Sequence, residues 1–243
     1  MNSQEITASN VEYWSKIMFE DPSNVQLNAF SLEEKYRIIE YAYSKIGITS
    51  SLSFEDLQYA IMNEDPWDDI FYREMPVNNM AYWMLGFWGS QLFVKSSGQD
   101  KWIKPSSQVW YFDGEQDELN YLSYIHILHD MRHTKHEFRQ EETYFDETAN
   151  VFIVNFEYKG KAIHWTIANS YPGWLNNIIF KLYTDLCEEE YRNTGNYYLI
   201  GEGQGGYVMF LSDEAEAYLR KLWNFAKLNK QGKMTTLNSI MID

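Results

Sequence analysis

Four of the five histidines, His126, His129, His133 and His136, fall within eleven residues. On a helix, His126, His129, Asp130, His133 and Glu137 succeed one another at three- and four-residue spacing, where side chains of adjoining turns meet. Neutral imidazoles and carboxylates gathered in that way can hold a divalent metal such as zinc. The candidate ligand set is therefore His126, His129, His133 and Glu137, and the activity it would support is metal-dependent hydrolysis.

Within this stretch, His129-Asp-Met-Arg-His133 is similar to the H-E-x-x-H helix motif of zinc proteases. Asp130 stands where that motif has its general base, one methylene shorter. Arg132 fills a position that is usually apolar. The competing reading is a polar helix end, with Arg132, Lys135 and Arg139 in solvent and the histidines satisfied by water and neighbouring carboxylates. On that reading the chain needs no cofactor.

The remaining clusters point away from catalysis. Gly201-Glu-Gly203-Gln-Gly-Gly206-Tyr-Val208 satisfies G-x-G-x-x-G, but a dinucleotide site requires a helix directly after it, and Tyr207 to Leu211 reads as a strand. A glycine-tolerant hairpin turn accounts for it. Asp68 with Asp69, Glu141 with Glu142, and Glu188 to Glu190 are adjacent carboxylates, and adjacency does not place two carboxyls across a cleft. No G-x-S-x-G elbow is present. The one cysteine, Cys187, sits beside Glu188 to Glu190, which disfavours a thiolate.

The elements that must position these residues are legible from periodicity. Ser31 and Glu34 form a capping box ahead of Leu32, Tyr36, Ile39 and Tyr43, which predicts a helix over 31–47 ended by Gly47. Ser53 with Asp56 opens a shorter helix through Asn63. A third helix is expected over 78–92, where Gly86 and Gly89 would admit another backbone. A strand is predicted over 108–112, and a long helix over 116–138 with Leu119, Leu122, Ile125, Leu128 and Met131 as its apolar face. Val151 to Tyr158 and Ala162 to Asn169 read as a hairpin around Lys159-Gly160. After Pro172-Gly173 comes a helix over 174–190, then strands over 197–200 and 207–211 and a final helix from Ser212 to about Lys227.

The predicted class is α+β, with a helical N-terminal half and, C-terminally, an antiparallel sheet with helices on one face, strand-strand-helix twice over. The expected division is a mainly helical acidic region, 1–115, and a long helix plus an antiparallel α+β unit, 116–243, with one continuous domain as the alternative.

Composition narrows the partners. Thirty-five acidic against twenty basic residues give a formal charge of −15. Residues 1–120 carry nineteen acids and eight bases, and the stretch from Glu55 to Glu74 sets seven carboxylates against Arg73 alone. Such a surface repels nucleic-acid phosphates and anionic lipid, and it steers a basic protein inward. An aromatic anchor beside carboxylates suits a binding hot spot. The candidate partner-binding residues are therefore Asp65, Trp67, Asp68, Asp69, Phe71 and Tyr72. No apolar run approaches the roughly 18 residues of a membrane span. MNSQEITASN lacks the basic and apolar regions of a signal peptide, so the expectation is a cytoplasmic protein. Nothing in the composition selects an oligomeric state.

Two stretches carry a resemblance. YWMLGFWGSQLFVKSSGQDKWI (82–103) is similar in style to small bacterial α+β proteins. YYLIGEGQGGYVMFLSDEAEAYLRKL (197–222) resembles segments in the immunity proteins of bacterial polymorphic-toxin systems. The resemblance implies a non-enzymatic cytoplasmic protein that binds and neutralises a basic toxin. The alternative from a different class is the metal-dependent hydrolase built on the histidine cluster.

Overall fold

Helix α1 (Leu32–Lys45) starts where Ser31 and Glu34 close the capping box: the Glu34 amide donates to Ser31 Oγ at 3.3 Å, and the Ser31 amide donates to Glu34 Oε2 at 2.6 Å. It stops at Gly47, whose φ of +82° favours glycine. Leu32, Tyr36, Ile39 and Tyr43 are all buried along one stripe. Ser53 opens α2 (Phe54–Glu64) by accepting from the Asp56 amide at 3.0 Å.

Helix α3 (Val77–Gly89) buries Met80, Ala81, Met84, Leu85 and Trp88. The Tyr43 hydroxyl donates to the Ala81 carbonyl at 2.6 Å, and its ring meets Trp88 edge-on at 5.3 Å. A Cβ at Gly89 would lie 2.6 Å from the amide nitrogen of Tyr111, so strand β3 (Val109–Asp113) runs against the last helical turn. The helix expected to reach residue 92 ends at Gly89 instead. Leu92 starts an antiparallel hairpin, β1 (Leu92–Ser96) with β2 (Gln99–Ile103), that places Phe93 opposite Trp102.

The long helix expected over 116–138 is overturned. The helix present is α4 (Tyr121–Asp130). Asn120 fixes its start by accepting the Ser123 amide at 3.2 Å. Its end tightens as the Arg132 amide turns back to the His129 carbonyl at 3.2 Å, and the Tyr197 hydroxyl takes the Leu128 carbonyl at 2.6 Å. Phe138 then begins a strand, β4 (Phe138–Asp146), because Thr143, Tyr144 and Phe145 suit a pleated surface better than a helix.

β4 pairs with β5 (Val151–Tyr158), and β5 with β6 (Lys161–Ala168), in an antiparallel sheet ordered β4-β5-β6. The β5–β6 connection is the Lys159-Gly160 turn, both residues at positive φ (+50° and +76°), the signature of a type I′ hairpin. Helix α5 (Ile178–Tyr191) starts later than expected. Trp174 bridges Glu115 and the Leu175 amide donates to the Gly114 carbonyl at 2.7 Å, which holds those residues extended. Strands β7 (Asn196–Glu202) and β8 (Gly205–Leu211), helix α6 (Asp213–Ala226) and strand β9 (Met234–Thr236) complete the order. A second sheet runs β3-β8-β7-β9. A Cβ at Gly205 would collide with the Phe112 carbonyl oxygen, so glycine serves strand contact there, not only the turn.

The fold is mixed α+β, helical mainly in the N-terminal half and stranded in the C-terminal half, with antiparallel sheets throughout the described residues. The computed structural model describes residues 11–16, 30–64, 75, 77–96, 99–115, 119–132, 137–202, 205–226 and 234–236. The chain forms two units, Met1–Tyr111 with Leu211–Lys233, and Phe112–Phe210 with Met234–Asp243. Helix α6 belongs to the first unit, where it packs with α3. Among the described residues no helix is long and apolar enough to cross a membrane.

Candidate functional site

His126 and His129 share α4 but take different partners. His129 is 1% exposed and ringed by Phe138 at 4.9 Å, Tyr158 at 6.0 Å and Tyr183 at 6.5 Å. Its Nδ1 lies 2.8 Å from Arg132 Nη2 and 3.3 Å from the Tyr183 hydroxyl. A guanidinium only donates, so Nδ1 accepts and the ring is neutral with its proton on Nε2. The lone pair a metal would use at Nδ1 is engaged, and the neighbouring charge opposes a cation. His126 turns elsewhere, its Nε2 3.0 Å from Glu141 Oε2. Glu137 lies beyond the helix and faces Lys159 Nζ at 3.5 Å. His133 and His136 lie outside the described residues. Among the described residues no three histidine, cysteine or carboxylate side chains are grouped to hold a metal.

Instead, the end of α4 seeds a polar network inside the second unit. Arg132, its side chain 4% accessible, meets Glu190 Oε2 at 3.3 Å. Glu190 also accepts the Tyr158 hydroxyl at 2.8 Å and Lys159 Nζ at 2.9 Å. Burial pushes its carboxyl up, yet the hydrogen bonds from Lys159 and Tyr158 and the charges of Lys159 and Arg132 outweigh this and hold it below the ordinary range. Proton counting orders the phenols. Tyr197 spends its proton on the Leu128 carbonyl, so towards Tyr183, 3.3 Å away, its oxygen accepts. Burial raises the phenol pKa values of Tyr158, Tyr183 and Tyr197 and that of the Cys187 thiol. Cys187 is fully buried within this group. These bonds fasten α4, α5, β7 and the β5–β6 turn to one another, and among the described residues Arg132 Nε stays buried without a hydrogen-bond partner.

The chemistry offered to solvent lies on β4. The β4-β5 register places Glu142 against Asn155, Tyr144 against Ile153 and Asp146 against Val151, so Glu142, Tyr144 and Asp146 share one face of the sheet. Tyr144 is 48% exposed between the two carboxylates. The Asn155 amide donates to Glu142 Oε2 at 3.2 Å, and His164 Nδ1 lies 2.7 Å from Asn155 Oδ1, a polar row across all three strands. On the strand edge Phe145, 40% exposed, packs on Phe152 at 4.9 Å. Between Glu137 and Glu147 five carboxylates face one base, Arg139. The adjacent pair Glu141 and Glu142 diverges, one towards His126 and the other towards Asn155, so the two do not form a catalytic dyad.

The expected partner-binding residues Asp65, Trp67, Asp68, Asp69, Phe71 and Tyr72 lie outside the described residues. The same chemistry, an aromatic side chain between carboxylates, recurs at Tyr144, which the sequence reading passed over. Its signal was present: Thr-Tyr-Phe followed by the turn-forming Asp146 to Asn150 and then a run of strand formers. A further exposed aromatic pair, Phe93 with Trp102 at 5.3 Å, lies on the β1–β2 hairpin of the first unit. This is thus an α+β protein with an acidic, aromatic strand face and a closed polar interior. No protein-family model, curated protein or solved structure matches the chain.

Proposed function

We propose that the chain is a non-enzymatic protein-binding module that docks a basic partner on the open face of β4, in the manner of a cytoplasmic immunity-type inhibitor. One observation carries the reading: Tyr144 stands half-exposed between Glu142 and Asp146 on a regular sheet face. A rigid aromatic ring gives contact area at low entropic cost, and flanking carboxylates steer and orient a cationic surface. The net charge of −15 adds long-range attraction for the same class of partner.

The test compares capture by the wild-type protein and by Tyr144→Ala/Glu142→Lys from lysate of the source organism, at low and high salt. The wild-type protein should retain a discrete basic protein that salt releases, and the variant should lose it while unfolding at the same temperature. Empty wild-type captures at low salt would sink the proposal. So would equal capture by the variant.

A further inference from the structure

The two outer edges of the β4-β5-β6 sheet are treated differently. β4 carries a bulge between Arg139 and Glu142, with Gln140 at φ +51°, and it exposes Arg139, Glu141 and Glu142. Bulges and charges are the usual devices that stop another strand from adding to an edge. β6, Lys161 to Ala168, pairs with β5 in unbroken register and contains no carboxylate, proline or glycine. Among the described residues no strand lies on its other side.

The hydrogen-bond phase of β6 follows from its two ends. The Asn169 amide donates to the carbonyl of Asn150 directly across at 3.2 Å, and the two-residue turn closes on Tyr158 and Lys161. Residues 161, 163, 165 and 167 therefore spend their main-chain groups on β5. Ala162, His164, Thr166 and Ala168 point theirs outward. Asn176 Nδ2 reaches the outward carbonyl of Ala168 at 2.9 Å, as this phase requires. Ala162, His164 and Thr166 are exposed, and they present both N–H and C=O to the edge.

We infer that β6 is a homodimer edge, pairing antiparallel with β6 of a second copy about a two-fold axis at His164. The strand is complementary to itself in this register. His164 bonds reciprocally to its symmetry mate, and Ala162 bonds to Thr166 on either side. On the opposite face, Ile163 comes opposite Trp165 of the other copy at the close, non-hydrogen-bonded positions, a favourable aromatic with β-branched pair. Both side chains are half-buried in one copy, and Trp165 already packs edge-on against Phe156 at 5.0 Å. Charge selects this edge for a second copy. Lys161 is the only formal charge on the strand, and in this register it faces Ile167 of the mate, not another lysine. Two β4 edges would instead oppose Glu141 and Glu142. The pairing leaves the Tyr144 face of β4 free, so it stands independently of the proposed partner.

Sedimentation of the full-length protein over a concentration series should show a monomer–dimer equilibrium, stronger at high salt because each copy carries −15. His164→Asp, which opposes two carboxylates at the axis, should weaken it at least tenfold while leaving the circular dichroism unchanged. Oxidised His164→Cys should form an intermolecular disulfide, since Cα atoms at such a pair lie about 5.5 Å apart. Ala162→Cys should not, because its mate lies several residues away. A monomer at millimolar protein, a dimer indifferent to His164→Asp, or preferential cross-linking through Ala162→Cys would each overturn the inference.

Discussion

Arg132 and Glu190, 58 residues apart in sequence, meet with Nη1 3.3 Å from Oε2, the guanidinium side chain almost wholly out of water and the carboxylate 26% accessible. The Tyr183 and Tyr191 rings stand 5.8 and 5.7 Å from the guanidinium carbon. Arginine does not give up its proton in such a site, so its charge needs the carboxylate. Removing the acid alone leaves a buried cation with no carboxylate against it among the described residues, facing His129, the Tyr158 hydroxyl and the ring faces. Glu190→Ala should therefore lower the unfolding free energy by about 2 to 4 kcal/mol. Arg132→Met/Glu190→Ala should be milder than the two single changes summed. Urea unfolding of the three variants tests this, and a Glu190→Ala cost under about 0.5 kcal/mol, the level of an ordinary surface change, would contradict it.

The same carboxylate gives stability a pH signature. Its folded pKa lies below the ordinary value of 4.5, so as pH falls the unfolded chain takes up the proton first. The contribution is whole above the unfolded pKa and is lost as pH drops through the folded one. The difference in urea midpoint between wild type and Glu190→Gln should stay constant above about pH 5.5 and shrink below 4.5. A difference as large at pH 3 as at pH 7 would show that Glu190 acts through packing alone.

Most of the fold was legible in the sequence wherever a local signal decides the element. Ser31 with Glu34, Ser53 with Asp56, Ser212 and the Lys159-Gly160 turn each fixed a boundary through a cap or a turn. The reading failed between Gln116 and Phe138, where a helical apolar spacing ran past the true helix. The stop there comes from Tyr197 taking the Leu128 carbonyl, a residue 69 positions away that no local window contains. The candidate site suffered in the same way. A helix carried to Phe138 hides the strand that presents Tyr144, and His126 and His129, though on one helix, turn to different partners.

Gly89 offers a test in which two effects oppose each other. Alanine in a helix is favoured over glycine by about 1 kcal/mol. At Gly89 the added methyl would meet the Tyr111 amide at 2.6 Å and Val109 Cγ1 at 3.0 Å, and a strand backbone does not yield as a flexible side chain would. Gly89→Ala should be destabilising by roughly 1 to 3 kcal/mol net, the range for overpacking. Gly86→Ala, in the same helix, serves as the comparison. A rise in melting temperature for Gly89→Ala would mean that β3 stands off the helix.

Cys187 reports on the same interior from another side. Burial raises its thiol pKa above the usual range, and the thiol lies among Tyr158, Tyr183 and Arg132 with no accessible surface. The thiolate is the reactive form, so both its scarcity and its enclosure suppress labelling. Native protein mixed with excess disulfide reagent at pH 7.5 should label less than about a tenth of its single thiol in the time that unfolded protein labels fully. Glu190→Ala should speed the native reaction, because the loosened network opens more often. Rapid labelling of the wild-type protein would show that solvent reaches the network, and that its groups are open to chemistry after all.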